Sequence, residues 1–314
     1  MSRSGLYLTI MFLSIFACAS QAQEVSTENG LTTVSYETKE GRIKLNYPQT
    51  LLAGDRFTGT VMAEPKGNSE EEKAVFSDKI GGYVLDVNES VQSTTKEGSF
   101  QWQLPDALSA LTLVLRDPEG NVVSQMDAPI LSEIKDASLP GLEPGSFKLP
   151  SIGQVGHPVQ VAGPFDGDGA STRIAIGDSP TAVLAESPRA AFFQTPLDQI
   201  GLHPITVTEN GVTTEGEFRS IGFSYGLPRT NLMSGEKTEL TTTVHGLEGL
   251  KRPVNLRLVN HTPDIISLRD GNQESINIYP EDVGEDGTYL FTRELTGVRQ
   301  GDFELSLNLM STEA

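Results

Sequence analysis

Apolar and polar residues alternate along most of this chain. In "FELSLNL", Phe303, Leu305, Leu307 and Leu309 fall on one side, and Glu304, Ser306 and Asn308 on the other. "LTLVLRD" groups Leu111, Leu113 and Leu115 in the same way, and "INIY" groups Ile276 and Ile278. A period of two predicts strands with one face in a core and one in water. Helical periodicity is nearly absent. Turn chemistry separates the runs: Asp117-Pro118-Glu119-Gly120 divides "LTLVL" from "NVV", and Asn210-Gly211 follows "ITVT". Asn-Gly suits the positive φ angles of a two-residue hairpin turn. Many short strands joined by Gly/Pro turns predict an all-β protein built of tandem immunoglobulin-like β-sandwiches.

The pattern divides the chain into units. Residues 1–22 read as a signal peptide, and 23–40, polar and rich in Thr and Glu, as a loose N-terminal arm. A first sandwich is expected over 41–130, with strands near 56–63, 81–87, 99–104 and 111–117. Its insert 66–79, which carries Glu70, Glu71 and Glu72, reads as an acidic, solvated surface loop. Residues 131–150 hold three prolines and two glycines and read as a connector. A second sandwich is expected over 151–221 and a third over 222–314. Only "GLPRTNLMSGEK" parts the strands of these two, so they are expected to pack end to end. There is no convincing internal repeat. The last alternating run is expected to complete the third sandwich, with no long sorting tail.

The second unit carries a recognisable layout. "HPVQVAG" leads to Gly163 and Phe165; "TRIAIGD" supplies Ile174, Ile176 and Gly177; "AVLAES" and "AAFFQTP" follow, and Gly201 and "PITVTENG" close the unit. Glycine permits a sharp turn at a strand end, and Phe165 can fill the core beneath it. Asp178-Ser179-Pro180 is turn chemistry, and Pro188 and Pro196 suit strand boundaries. Over about 70 residues this layout resembles the IPT/TIG domain, an immunoglobulin-like fold, at the size of a small domain. The resemblance implies a sandwich and no shared catalytic residues. DNA binding, found in its transcription-factor members, does not transfer to an acidic chain. The third unit looks like a bacterial immunoglobulin-like module at the level of fold alone.

Targeting and charge narrow the function classes. Arg3, the apolar run Leu6–Ala17 and Ser20-Gln21-Ala22 have the layout of a secretory signal cleaved between Ala22 and Gln23. The run is short for a bilayer span, and no later segment is a transmembrane candidate. Cys18, the only cysteine, offers a lipidation alternative, because Ile15-Phe16-Ala17-Cys18 partly resembles a lipobox despite the bulky Phe16. Cleavage after Ala22 leaves no cysteine, hence no disulfide, thiolate nucleophile or cysteine metal site. It also removes a single charge, Arg3, from a chain of 23 basic and 42 acidic residues, which takes the formal charge from −19 to near −20. That balance argues against nucleic-acid partners, which need Lys and Arg to displace counterions. An exported protein is expected: periplasmic, extracellular or on the cell surface, with an outer-membrane lipoprotein as the form Cys18 would give.

Individual motifs add little chemistry. "GPFDGDGAST" (163–172) places Asp166 and Asp168 in a glycine-rich turn. A calcium loop needs oxygen ligands at positions 1, 3 and 5, Gly at 6 and Glu at 12. Counting from Asp166 gives Ala170, Ser171 and Gly177 at positions 5, 6 and 12, and placing Asp168 at position 5 gives Pro164 and Ala175 at 1 and 12. Both registers fail, so solvated turn formers are expected; an irregular calcium site there stays open. Gly222–Gly226, "GFSYG", matches the G-x-S-x-G nucleophile elbow around Ser224, but Pro228 follows and no helix is predicted. The S-x-x-K pairs Ser93/Lys96 and Ser234/Lys237 lack their partner motif. His157, His203, His245 and His261 show no zinc spacing. Glu281, Asp282, Glu285 and Asp286 form an acidic turn, Trp102 is expected near the core, and Asn88 and Asn260 open glycosylation patterns that matter only in a eukaryotic secretory route. No catalytic, cofactor or metal residue is expected. The expected role is structural, adhesive or protein-binding at the cell envelope, toward an extracytoplasmic protein or surface polymer. The alternatives are an accessory polysaccharide-binding module, or an enzyme with a dispersed site.

Overall fold

The computed structural model describes residues 23–67, 69–87, 90–94, 98–104, 110–131, 146–229, 232–269 and 271–310. The expected signal peptide with Ala22 and Cys18, most of the expected connector, Asn88 and Lys96 lie outside them.

The first part of the chain supplies ten strands: β1 (Gln23–Glu28), β2 (Leu31–Glu37), β3 (Gly41–Pro48), β4 (Leu51–Leu52), β5 (Arg56–Pro65), β6 (Val84–Val87), β7 (Ser90–Thr94), β8 (Ser99–Gln103), β9 (Ala110–Arg116) and β10 (Val122–Leu131). The second supplies β11 (Ile152–Gln154), β12 (Pro158–Ala162), β13 (Arg173–Ile176), β14 (Ser179–Thr181), β15 (Val183–Ser187), β16 (Ala190–Gln194), β17 (Gly201–Glu209) and β18 (Val212–Gly226). The third adds β19 (Lys237–His245), β20 (Val254–Asn260), β21 (Ile266–Leu268), β22 (Gln273–Ile278), β23 (Tyr289–Gly297) and β24 (Leu305–Met310). They form immunoglobulin-like β-sandwiches in tandem, as the alternation predicts.

The expected one-face burial is present. Leu111, Leu113 and Leu115 sit in the first core with Phe57, Val61 and Leu85. Ile174, Ile176, Phe193, Ile205, Val207 and Phe218 form the second, and Leu256, Leu258, Ile276, Ile278, Leu295 and Leu307 the third.

Among the described residues, two of the four sheets cross the sandwich boundaries. One runs β1-β2-β3-β5-β15-β16-β12, with β8 also on β5, and so passes from the first sandwich into the second. Another runs β14-β13-β17-β18-β19-β23-β21 and passes from the second into the third. The sheets β4-β10-β9-β6-β7 and β22-β20-β24 close the two ends. The boundary expected between 221 and 222 falls inside β18, which pairs with β17 up to Ser220 and with β19 from Gly222.

Two segments differ from expectation. The arm of 23–40 is instead the hairpin β1–β2, closed by Asn29 and Gly30 at φ +48° and +82°. Its Thr, Ser and Glu side chains hide the alternation of Thr32, Val34 and Tyr36, which are buried. The acidic loop of 66–79 is largely a helix, α1 (Glu70–Ile80). Ser69 Oγ accepts the Glu72 N–H at 3.2 Å as an N-cap, and Glu70, Glu71 and Glu72 sit where the helix dipole favours anions. Among its described side chains only the last, Ile80, is sealed in the core, so no helical period marks it. The end of the expected connector belongs to the second sandwich: Phe147 packs on Phe165 with ring centroids 5.1 Å apart.

Candidate functional site

The loop 163–172 is where the first and second sandwiches meet. Gly167, at φ +74°, lies so close to β5 that a Cβ there would stand 2.3 Å from the Arg56 carbonyl oxygen. Thr58 Oγ1 donates to the Gly167 carbonyl at 3.0 Å, Gln101 Nε2 donates to that of Asp168, and Thr60 Oγ1 donates to that of Leu184 at 2.8 Å. Arg189 pairs with Asp55 at 2.5 Å. On the other side of the joint the Asn29 amide donates to the Pro158 carbonyl at 2.8 Å, and Glu28 meets His157 Nδ1 at 2.9 Å. Leu31 closes the apolar centre by packing on Leu184, Ala185, Ala190 and Phe192. Of these, the Thr58–Gly167 bond is buried, and a buried hydrogen bond beside an apolar contact fixes its orientation as well as its strength.

The two aspartates of this loop have local work. Asp168 Oδ1 accepts the Ala170 N–H at 2.9 Å, and Asp166 Oδ2 accepts from Asn210 Nδ2 at 2.8 Å. The carboxylates that organise the loop were not singled out by the motif: they are Glu186, at the end of β15, and Glu209, at the end of β17. Both are sealed from solvent, at 0% and 4% exposure, as is Thr172 at 6%. Glu209 Oε1 accepts the Asp166 N–H at 3.0 Å and the Ser171 hydroxyl at 3.1 Å. Glu186 Oε1 accepts the Gly169 N–H at 3.1 Å. The Thr172 hydroxyl stands between them, 2.5 Å from Glu209 Oε2 and also bonded to Glu186 Oε2. Burial pushes the Glu186 carboxyl above the usual carboxylate range, against the hydrogen bonds from Thr172 and Gly169. Among the described residues no group of three or more His, Cys, Asp or Glu is placed to hold a metal ion. The donors converging on Glu186 and Glu209 are N–H and O–H groups, which suit an anion and not a cation.

The second joint is built from β18. Arg219 Nη1 donates to the Gly246 carbonyl at 2.6 Å, and burial lowers the Arg219 pKa. Gln154 of β11 occupies the outer edge of β24: Leu309 N–H donates to its Oε1 at 2.9 Å, and its Nε2 donates to the Leu307 carbonyl at 3.3 Å. Beside this joint lies an open cleft of about 580 Å³ lined by Leu197, Ile200, Phe223 and Tyr225 together with Ser224 and His245. Ser224 Oγ lies 2.8 Å from His245 Nε2. The contact follows from register: Ser224 faces Thr243 and Gly222 faces His245, so the two side chains are diagonal neighbours. Ser224 lies within a strand, without the strand–turn–helix of an elbow. A like contact lies just past the end of β20, where His261 Nε2 lies 2.8 Å from Ser306 Oγ of β24.

The remaining sequence candidates are dispersed. Asp286 accepts from Thr288 N–H and Oγ1, which holds its carboxyl below the usual range, and Asp282 accepts the Tyr279 N–H. Ser234 and Lys237 lie in a turn and at the start of β19, not on a helix. His203 Nε2 reaches the Ile200 carbonyl at 3.2 Å. Trp102 packs half-buried on the first core, and Tyr225 is 56% exposed.

No family model matches the chain, and no curated protein matches it. Among solved structures it is similar to SGBP-B from a complex xyloglucan utilization locus of Bacteroides uniformis: 11% identity, 92% of this chain and 98% of that chain, TM-score 0.27. It is similar also to SGBP-B of the Bacteroides ovatus mixed-linkage glucan utilization locus, in complex with a mixed-linkage heptasaccharide: 10% identity, 90% and 84% covered, TM-score 0.22. A third is FdeC, an Escherichia coli adhesin: 14% identity, 85% and 91% covered, TM-score 0.21. Superpositions at this level add nothing to what the sheets themselves establish. The class is that of tandem immunoglobulin-like sandwich proteins.

Proposed function

We propose that this is an exported, non-enzymatic protein with a structural, adhesive or protein-binding role at the cell envelope, with its second sandwich of the IPT/TIG type. The observation that carries the reading is the construction of the joints. The second is one strand, β18, laddered on both sides; the first is crossed by the sheet at one residue pair, Thr58–Glu186, beside the buried Leu31 cluster; freely hinged domains would have exposed linkers with few crossing contacts. A chain that fixes three sandwiches in series holds its far loops at a set distance and angle from the envelope. At the end of the third sandwich away from the joint, the loops after β18, β20 and β23 surround a hollow of about 530 Å³. It is walled by Leu232, Met233, Ile265 and Phe303. Met233 is 75% exposed there. Loops on a rigid scaffold are where binding residues concentrate, and the acidic chain selects against anionic partners.

The test is cross-linking of the mature protein to its native envelope, comparing wild type with Met233→Asp and, as control, Val75→Asp on the exposed face of α1. Capture of one protein or polymer, lost with Met233→Asp and kept with Val75→Asp, supports the reading. Equal capture by all three contradicts the loop assignment. Binding on a glycan array with no protein captured moves the assignment to a polysaccharide-binding module.

A further inference from the structure

We propose that Thr172 and Glu209 condense into an intramolecular ester, with Glu186 as the acid–base group, so that the second sandwich carries a covalent cross-link between the loop 163–172 and β17.

The geometry is that of an acyl-transfer site turned inward. Thr172 immediately precedes β13, whose Arg173 faces Thr208 of β17, so register alone brings Thr172 opposite Glu209. The nucleophile Oγ1 lies 2.5 Å from Glu209 Oε2. The other oxygen, Oε1, sits between the Asp166 N–H at 3.0 Å and the Ser171 hydroxyl at 3.1 Å, where two donors would stabilise the charge that gathers as the carbonyl is attacked. On the far side of Oγ1 stands the Glu186 carboxyl, fixed by the Gly169 N–H. Nucleophile, acyl group, base and oxyanion donors thus come from three loop residues and two strand ends, all held by the fold.

A proton count supports the arrangement. Thr172 has a single hydroxyl hydrogen and two carboxylate neighbours, so the cluster has room for one more proton. Burial raises the proton affinity of Glu186, which makes it the holder. The step then balances. The Glu186 proton passes through the Thr172 hydroxyl to Glu209 Oε2. Thr172 Oγ1 attacks Glu209 Cδ while the Glu186 carboxylate takes its proton. That proton is returned to Oε2, the Cδ–Oε2 bond breaks, and water leaves. One C–O bond forms, one breaks, and no oxidant or reductant is needed. Condensation is unfavourable between separate molecules in water, but effective molarities of about 10⁵ M or more for well-oriented partners reverse that balance in a dry site.

Intact mass spectrometry of the purified full chain, unfolded and compared with the mass of its sequence, tests this. The expected result is a deficit of about 18 Da, the mass of one water by the balance above, with a branched proteolytic peptide joining Thr172 to Glu209. Hydroxylamine opens the branch. Thr172→Val, close in shape, and Glu186→Gln are expected to fold with cooperative melting and to show the full mass. A full mass in wild type overturns the proposal. So does a deficit that persists in Thr172→Val, which would belong to a succinimide at Asp166-Gly167 or Asp168-Gly169. A deficit retained in Glu186→Gln overturns the role given to Glu186.

Discussion

Leu31→Ala is the sharpest probe of the first joint. Leu31 opens β2, is 1% exposed, and packs on Leu184, Ala185, Ala190 and Phe192 across the boundary. Truncating a sealed leucine costs about 2–5 kcal/mol, the larger values where the surroundings cannot collapse. Here the floor is β15 and β16 and the roof is the hairpin β1–β2, each pinned by its own ladder, so about 3 kcal/mol is expected. For a cooperative body of the size of the first two sandwiches, that lowers Tm by about 6–12 °C. Differential scanning calorimetry separates the transitions. The first two sandwiches should move together and the third much less. Leu258→Ala, in the third core, is the control and should move the third sandwich most. A loss under about 1 kcal/mol, or a shift confined to the first sandwich, would refute the claim that Leu31 fastens the two together.

Three further outcomes follow from the same contacts. Gly167→Ala forces a side chain onto a positive φ, at about 1–2 kcal/mol, and against the Arg56 carbonyl; urea denaturation should show a loss at or above that value, and an unchanged midpoint would contradict the close approach. Glu186 has a raised pKa in the folded state, so its contribution to stability is fully present below the unfolded carboxylate pKa and is lost as pH rises through the folded value. The stability of wild type relative to Glu186→Gln should therefore fall with rising pH over that window, and a rise would contradict the assignment. Excess calcium or chelator should leave Tm unchanged, because a ligand held only by the native state must stabilise it; an upward shift with calcium would show that Asp166 and Asp168 do more than hold the loop.

How far the sequence could be read depended on which face each strand showed to water. Strands with one wet face, such as β9 and β24, announced themselves through Leu111–Leu115 and Leu305–Leu309. The β1–β2 hairpin did not, because β1 lies at the sheet edge with both faces exposed, Val25 included; the Asn29-Gly30 turn was the available signal. At β18 the pattern failed for the opposite reason. Residues 218–222 are buried in succession as the strand passes between sandwiches, so alternation vanishes at the very place where a boundary was expected. The loop "GPFDGDGAST" drew attention to Asp166 and Asp168, yet the structure gives its two sealed carboxylates to Glu186 and Glu209. They come from strand ends 14 and 37 residues beyond Thr172, and nothing in "AVLAES" or "TVTENG" marks them as buried. That convergence is a product of topology.

Fixed joints should show as a fixed distance between the outer sandwiches. Spin labels at Val75→Cys on α1 and Leu290→Cys on β23, in a Cys18→Ser background, place probes on exposed positions of the first and third sandwiches. Pulsed electron–electron resonance should return one narrow distance distribution, unchanged by dilution or salt. A broad distribution, or several separate distances, would contradict joints held by the Thr58–Glu186 pairing with the Leu31 cluster and by the shared strand β18.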